Sequence, residues 1–222
     1  MSPHSTPLPL VDYIIARSSD LPPIRAAMYE YVLAGNGVFV RGSRTGLLAS
    51  IKVFDCQVKG LAQLQQSFHF DYPKVPSSLL ATMLLRSRQV SAGLLEFSPK
   101  EILFHLYWDG LQWQLEEPRQ LQSSTSCKPL GSSLDSSYER ALIEVHSHHW
   151  MQASFSSTDD SEETGFRIFV VLGEIFTLPT IRVRIGLYHH FLEIPAESIF
   201  CLPEKMTGAD NPNIIEDSNY DQ

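Results

Sequence analysis

Two histidines, a serine and an aspartate stand at close and regular spacing in the second half of the chain. His146 and His148 are one residue apart at the end of an apolar run, and Asp159 follows eleven positions later, three positions after Ser156. Residues i and i+2 of a strand point to the same face, so the two imidazoles are predicted to lie side by side. Together with a carboxylate that returns from a nearby turn, they make three metal ligands and leave a fourth position open. That arrangement is typical of a catalytic zinc site.

The same residues carry a resemblance to a known family. The pattern His-Ser-His, seven residues, Ser, two residues, Asp reads here as His146, Ser147, His148, Ser156 and Asp159. It resembles the JAMM motif of the MPN (JAB) metalloproteases, which are zinc isopeptidases that remove or process ubiquitin-like proteins. The wider run HSHHWMQASFSSTDD is most similar to a bacterial branch called PRTRC system protein A. The gene cassettes of that branch also encode ThiF-like activating enzymes.

The resemblance implies two further roles beside the metal. In this family the general base is a glutamate near the junction of the first helix and the first strand, often in a Pro-x-Glu-x-x-Gly pattern. Glu101 matches it after Pro99, although Phe104 stands where the commoner pattern has glycine. Glu96 is the rival candidate for the base. Ser156 would place its hydroxyl near the oxyanion that forms when water attacks the carbonyl.

The residue types leave some alternatives open. Ser156 and Asp159 also fit a Ser-x-x-Asp capping box at the start of a helix. Asp160 could replace Asp159 as a ligand, although the spacing favours Asp159. Glu144 shares the strand face of the two histidines and is either a carboxylate that orients a ligand or an exposed residue at the end of the sheet.

The composition is that of a folded chain with a moderate acidic excess. The 222 residues are 43% hydrophobic and 19% charged, with a net charge of −8 and an isoelectric point near 5.4. This balance argues against a nucleic-acid surface, which usually shows a basic stripe. No apolar run reaches the roughly 18 residues that a membrane span needs, and no secretory signal is predicted. Three widely separated cysteines without a CxxC pair fit a reducing, cytoplasmic location.

The elements that must position the site are predicted to form an α+β fold in two domains. Residues 1–19 are predicted to be a flexible lead-in, and residues 20–75 a small β-rich domain built on an antiparallel meander. The resemblance implies that residues 76–204 form an MPN/JAB-like (cytidine-deaminase-like) metalloprotease domain, a mixed sheet with flanking helices. Residues 205–222 are predicted to be a disordered acidic tail.

Local signals predict several elements within these domains. Asn36-Gly37 predicts a hairpin turn, and Ser77 or Ser78 is the predicted N-cap of a helix. The serine-rich segment 118–138 is predicted to be a mobile loop, and residues 180–195 a single strand.

The residues alone indicate metal-assisted hydrolysis of an amide. With the resemblance, they predict a zinc-dependent isopeptidase or peptidase that acts at the C-terminus of a ubiquitin-like protein, by deconjugation or precursor processing. ThiF/E1-like and E2-like proteins are the further partners implied, with no nucleic acid and no membrane. One alternative is a non-catalytic MPN-type scaffold, and another is a zinc hydrolase that acts on a small amide.

Overall fold

The protein divides into two compact units. The first comprises residues 1–71 and 213–222, and the second comprises residues 72–212. The sequence predicts a domain boundary at 75/76, and the boundary between the two units lies four residues earlier, at 71/72. The computed structural model describes residues 8–92, 99–130, 137–204, 206–208 and 215–216.

The described residues form strands, short helices and one 3₁₀ turn, Ala196–Ser198. The helices are α1 (Ser77–Ser91), α2 (Ser137–Arg140) and α3 (Ser157–Glu162). The strands are β1 (Val11–Ile15), β2 (Tyr29–Ala34), β3 (Gly37–Arg44), β4 (Leu47–Phe54), β5 (Ser67–Phe70), β6 (Leu103–Trp108), β7 (Trp113–Glu116), β8 (Gln120–Gln122), β9 (Cys127–Pro129), β10 (Ile143–Ser147), β11 (Phe166–Gly173), β12 (Thr180–Leu187), β13 (His190–Ile194), β14 (Thr207–Gly208) and β15 (Ile215–Glu216).

The first unit is a six-stranded sheet in the order β1-β2-β3-β4-β5-β15. Strands β2 to β5 form the predicted antiparallel meander. The prediction of a flexible lead-in is wrong for β1, because Val11–Ile15 pairs in parallel with Tyr29–Leu33. This pairing satisfies the main-chain groups of β1 that face β2, and Ala16 directly after it is fully buried.

The first hairpin turn lies one residue earlier than predicted. Ala34 pairs with Gly37, so Gly35 and Asn36 form the turn. The Asn36 side chain donates to the carbonyl oxygen of Leu64 at 2.8 Å and accepts from the Leu64 amide at 2.9 Å. Asn36 therefore ties the hairpin to a distant segment, which the local turn signal does not reveal.

The second unit is a mixed sheet in the order β13-β12-β11-β10-β6-β7, with β14 beside β12. Strands β10 and β11 run parallel, whereas β10 is antiparallel to β6 and β11 is antiparallel to β12. All eight residues of β11 are buried, as expected for a strand covered on both faces. The predicted α+β class with a mixed sheet is confirmed, and β10 lies at the middle of that sheet.

The predicted mobile loop at 118–138 contains a hairpin instead. Strands β8 and β9 pair antiparallel, with Gln120 opposite Pro129. The hairpin is attached to the start of β6, because the Leu103 amide donates to Oε1 of Gln120 at 2.8 Å. A serine-rich composition does not predict a hydrogen bond of this kind to a distant strand. Residues 131–136 of this segment lie outside the described residues.

The predicted single strand at 180–195 is two strands, β12 and β13, joined by a tight turn. Tyr188 and His189 adopt left-handed φ angles of 49° and 67°. The sequence at this turn contains neither Asn-Gly nor Asp-Gly, the pairs that normally predict a hairpin, so the turn could not be predicted from local sequence.

Two smaller predictions at chain boundaries also differ from the structure. The N-cap of α1 is Pro76, without a side-chain hydrogen bond, so neither Ser77 nor Ser78 caps the helix. Within the predicted disordered tail, β14 pairs with β12 and β15 pairs with β5. Main-chain pairing orders these short pieces although they have little apolar surface.

Among the described helices, none is long and apolar enough to cross a membrane.

Candidate metal centre

Strand β10, in the middle of the sheet, positions the two histidines at its carboxyl end. His146 belongs to β10, and the His148 amide extends the ladder by donating to the carbonyl oxygen of Leu172 at 2.6 Å. The centroids of the two imidazole rings are 5.1 Å apart, and both residues are buried. The structure therefore brings the rings side by side, as the i, i+2 spacing predicts.

Helix α3 positions the aspartate by a capping box. Asp159 is the third residue of α3, and Ser156 is its N-cap. The Ser156 amide donates to Oδ2 of Asp159 at 2.6 Å, and the Asp159 amide donates to Oγ of Ser156 at 3.2 Å. The other carboxylate oxygen, Oδ1, lies 3.3 Å from Nε2 of His146. The capping and ligand interpretations are thus compatible, because each oxygen of the carboxylate serves one of them.

The three side chains form a donor set that could hold a metal ion. One ligand atom from each of His146, His148 and Asp159 lies within 4.8 Å of the others. Two ligands about 2.0 Å from a tetrahedral ion lie about 3.3 Å apart, which matches the distance between His146 and Asp159. Nε2 of His146 is buried without a hydrogen-bond partner, so it is available to a cation.

Burial also sets the protonation state of the two imidazoles. It lowers the pKa of His146 to about 4, against a smaller opposing effect of the Asp159 carboxylate. Burial likewise lowers the pKa of His148. At neutral pH both rings are therefore uncharged, and neutral imidazole is the form that binds metals.

Glu101 lies beside this donor set. Its side chain is buried, and its Oε1 atom is 3.9 Å from Nε2 of His148. The pKa of Glu101 is raised to about 7, first by burial and then by the carboxylates of Asp159 and Glu162. The rival glutamate, Glu96, lies outside the described residues.

Two main-chain contacts fix Glu101 between the sheet and the β8–β9 hairpin. The Glu101 amide donates to the carbonyl oxygen of Ser123 at 2.9 Å. The next residue, Ile102, donates to Oγ of Ser147 at 3.2 Å and accepts from the Ser147 amide at 3.1 Å. Since Ser147 separates the two histidines, this pair of bonds sets the distance from Glu101 to both ligands.

A cavity of about 30 Å³ adjoins His146 and Asp159. Carboxylates of five residues line it, together with Cys127. Those carboxylates belong to Glu101, Glu144, Asp159, Glu162 and Glu163. Burial raises the pKa of Cys127 well above its usual value, and four of these carboxylates raise it further. Burial raises the pKa of Glu163 to about 8 and that of Glu101 to about 7, so these two carboxyl groups are partly protonated at neutral pH. The remaining carboxylates favour a bound cation.

The alternative ligand Asp160 and the candidate ligand-orienting residue Glu144 both have partners outside the three-ligand set. The Asp160 carboxylate accepts a hydrogen bond from Nη1 of Arg184 at 2.6 Å, which favours Asp159 as the ligand. Oε2 of Glu144 lies 3.6 Å from Nε2 of His105, a fully buried ring whose Nδ1 is 2.8 Å from Oγ of Ser137. Glu144 is therefore not an exposed end-of-sheet residue, and its carboxylate lies beside the His105 ring.

Sequence reasoning missed Arg184 and Cys127 as neighbours of the site. Alternation along β12 predicts that Arg184 faces outward, but the residue is 4% exposed. For Cys127 the cysteine spacing predicts only that it forms neither a disulfide framework nor a cysteine-based metal site. No local signal identifies either residue, because their partners come from other elements.

Comparisons with known proteins add nothing to this description: no family model matches the chain, and no curated protein matches it. The fold and the site define an α+β protein in which a mixed sheet presents two neutral histidines to a helix-borne aspartate.

Proposed function

We propose that this chain is a zinc-dependent isopeptidase or peptidase of JAMM type. The observation that carries the proposal is the convergence of a buried glutamate with the His-His-Asp set. Glu101 stands 45 positions before His146 (146 − 101) and yet lies 3.9 Å from the neighbouring ligand His148. A carboxylate in that place fits a general base better than it fits a structural contact.

His146, His148 and Asp159 are the residues that would hold the zinc ion. When bound there, zinc supplies a Lewis acid and lowers the pKa of its water ligand toward 7. Neutral imidazoles and one carboxylate are donors that zinc accepts, and three protein ligands leave a position for reactants.

Glu101 and Ser156 carry the remaining roles in the proposed reaction. Glu101 takes the proton of the attacking water on its carboxylate and delivers it to the departing amine. In the metal-free protein, burial and neighbouring carboxylates raise the pKa of Glu101 to about 7, and a general base works best with a pKa near the operating pH. The Ser156 hydroxyl donates to the oxyanion that forms at the carbonyl, while its oxygen continues to cap α3.

The finer assignments rest on the motif resemblance together with this geometry. We assign residues 76–204 to the MPN/JAB fold, supported by the mixed sheet and by ligands that come from a strand end and the following helix. The proposed substrate is a ubiquitin-like protein with a conjugated or extended C-terminus. ThiF/E1-like and E2-like proteins are the proposed partners, and the cytoplasm is the proposed location.

The test is cleavage of a ubiquitin-like protein that carries a C-terminal peptide extension, by the full chain loaded with zinc. We expect release of the extension by the wild-type protein, loss of release with a chelator, and recovery on adding zinc. Glu101→Gln should bind zinc and not cleave. Cleavage that persists in the chelator and in Glu101→Gln would overturn the metalloprotease. A wild-type protein that purifies without zinc and binds none would favour the MPN-type scaffold.

A further inference from the structure

Helix α3 carries a ligand although it has almost no packing of its own. It is six residues long, and none of its residues is buried. Isolated helices of this length are unstable in water, since most helical stability in proteins comes from packing an apolar face. The position of Asp159 must therefore be held by contacts other than core packing.

Arg184 makes two hydrogen bonds between strand β12 and the α3 region. Its Nε atom donates to Oε2 of Glu163 at 2.7 Å, and its Nη1 atom donates to Oδ1 of Asp160 at 2.6 Å. Asp160 directly follows the ligand Asp159, and Glu163 is the C-cap of the helix. One guanidinium thus binds α3 just after the ligand and again at the end of the helix.

The guanidinium is itself held in one orientation. It lies between two aromatic rings, 3.9 Å from the centroid of Phe155 and 3.7 Å from the centroid of Phe191. Its strand, β12, is paired on both sides, with Phe169 and Glu193 opposite Arg184. A planar, buried and stacked cation of this kind loses little freedom on binding carboxylates, so it makes a rigid attachment point.

We propose that Arg184 is a positioning residue of the metal centre, which fixes Asp159 by clamping helix α3 to strand β12. The inference rests on the proposed metal site and goes beyond it, because the hydrogen bonds and ion pairs of Arg184 go to Glu163 and Asp160 and to none of the three ligands. Residues that orient metal ligands typically change metal affinity about 10–100-fold when they are mutated.

The direction in which zinc affinity changes when Arg184 is replaced distinguishes a positioning role from a purely electrostatic one. A positive charge near a cation site opposes binding of the cation by Coulomb repulsion. Removing that charge would therefore tighten zinc binding if Arg184 acted through its charge alone. Removing a clamp weakens zinc binding, because Asp159 is no longer held at its position.

The experiment measures zinc affinity of the full chain by competition with a chromophoric chelator. Arg184→Gln removes the clamp, and Arg184→Lys keeps the charge but loses the planar fork. Arg182→Gln is the matched control, since Arg182 lies two residues earlier on β12 and pairs with the half-exposed Glu193. We expect about a ten-fold loss of affinity in Arg184→Gln, a smaller loss in Arg184→Lys, and no change in Arg182→Gln.

A second variant keeps the test decisive if Arg184→Gln does not fold. Asp160→Asn removes one partner of the clamp at a half-exposed position, and a weaker zinc affinity is expected there too. In the Arg184→Lys background, the effect of Asp160→Asn should be smaller than in the wild type. Equal effects in both backgrounds, or unchanged or tighter zinc binding in Arg184→Gln, would overturn the clamp. Failure of the wild-type chain to bind zinc would instead overturn the proposed metal site.

Discussion

The Oε1 atom of Glu101 lies 3.9 Å from Nε2 of His148, although 47 positions (148 − 101) separate the two residues in the chain. The two hydrogen bonds between Ile102 and Ser147 set this distance, because each of those residues adjoins one member of the pair. The candidate base thus lies directly before β6, which pairs with β10, the strand that carries His146.

Metal content is the first quantity to check. The wild-type protein should bind about one zinc ion per chain, and His146→Ala, His148→Ala or Asp159→Asn should each abolish stoichiometric binding, because two remaining ligands hold zinc poorly. Elemental analysis after dialysis measures this. His69→Gln, which removes an imidazole from the first unit, is the control and should retain the metal. Full zinc content in Asp159→Asn would contradict the proposed ligand set.

Glu101→Gln should separate binding from catalysis. The amide has the size of the carboxylate but cannot accept a proton, so the cleavage rate should fall about 10²–10⁴-fold while zinc content stays unchanged. Single-turnover cleavage of the extended ubiquitin-like substrate gives the rate. Glu116→Gln is the matched control at the protein surface and should cleave normally. A Glu101→Gln rate within a few-fold of wild type would remove Glu101 as the base.

Stability of the metal-free protein should depend on pH through Glu101. Its pKa rises from 4.5 to about 7 on folding, so between those values the folded state keeps a proton that the unfolded chain releases. The associated stability is present at low pH and is lost as the pH rises through 7. Glu101→Gln cannot ionise, so its Tm should exceed that of the wild type by a few degrees at pH 8 and equal it at pH 4.5.

Thermal unfolding in excess chelator at the two pH values measures this difference. Glu116→Gln again serves as control and should show the same offset from wild type at both values. A Glu101→Gln protein that is no more stable than the wild type at pH 8 would show that the buried carboxylate carries no such penalty.

Two substitutions should divide the roles of Ser156. Ser156→Ala removes the cap and the oxyanion donor, so it should cost about 1 kcal/mol of stability and lower the cleavage rate about 10²-fold. Ser156→Asn keeps a good N-cap but moves the donor, so it should preserve Tm and still lose rate. Urea unfolding and single-turnover kinetics report the two effects. Wild-type cleavage by Ser156→Ala would leave Ser156 with its capping role alone.

The cysteines should differ in reactivity. Burial and nearby carboxylates raise the pKa of Cys127, which disfavours the reactive thiolate, whereas Cys201 is exposed. At pH 8, iodoacetamide should modify Cys201 faster than Cys127, as followed by peptide mass spectrometry. Cys201 in the unfolded chain provides the reference rate, and the two cysteines should react alike in denaturant. Faster modification of Cys127 in the folded protein would contradict the negative cavity.

The sequence predicts those parts of the site that depend on short spacings. The shared face of His146 and His148 follows from strand geometry, and the Ser156–Asp159 capping box follows from helix geometry. The class of fold is also predictable, because segments with strand patterns lie before and after one segment of helical periodicity, which forms α1. Whether zinc and Glu101 act as proposed stays a prediction.

Features that depend on distant partners could not be predicted in this way. The polar position of Arg184 on β12 indicates an exposed residue, and the carboxylates that bury it are 21 and 24 positions away. The β12–β13 turn uses left-handed angles at residues other than glycine, which carry no local signal. The parallel pairing of β1 with β2 likewise depends on a partner outside the segment itself.

The exposure of α3 has a consequence for how the chain tolerates change over evolutionary time. Ser157 and Ser161 face solvent, so replacing either of them opens no cavity and disturbs no packed neighbour. Drift at these two positions is therefore expected to be nearly neutral, while selection is expected to retain the proposed ligand Asp159 and its capping serine. Homologous chains are expected to keep the spacing between His146, His148, Ser156 and Asp159 and to vary in the residues between them.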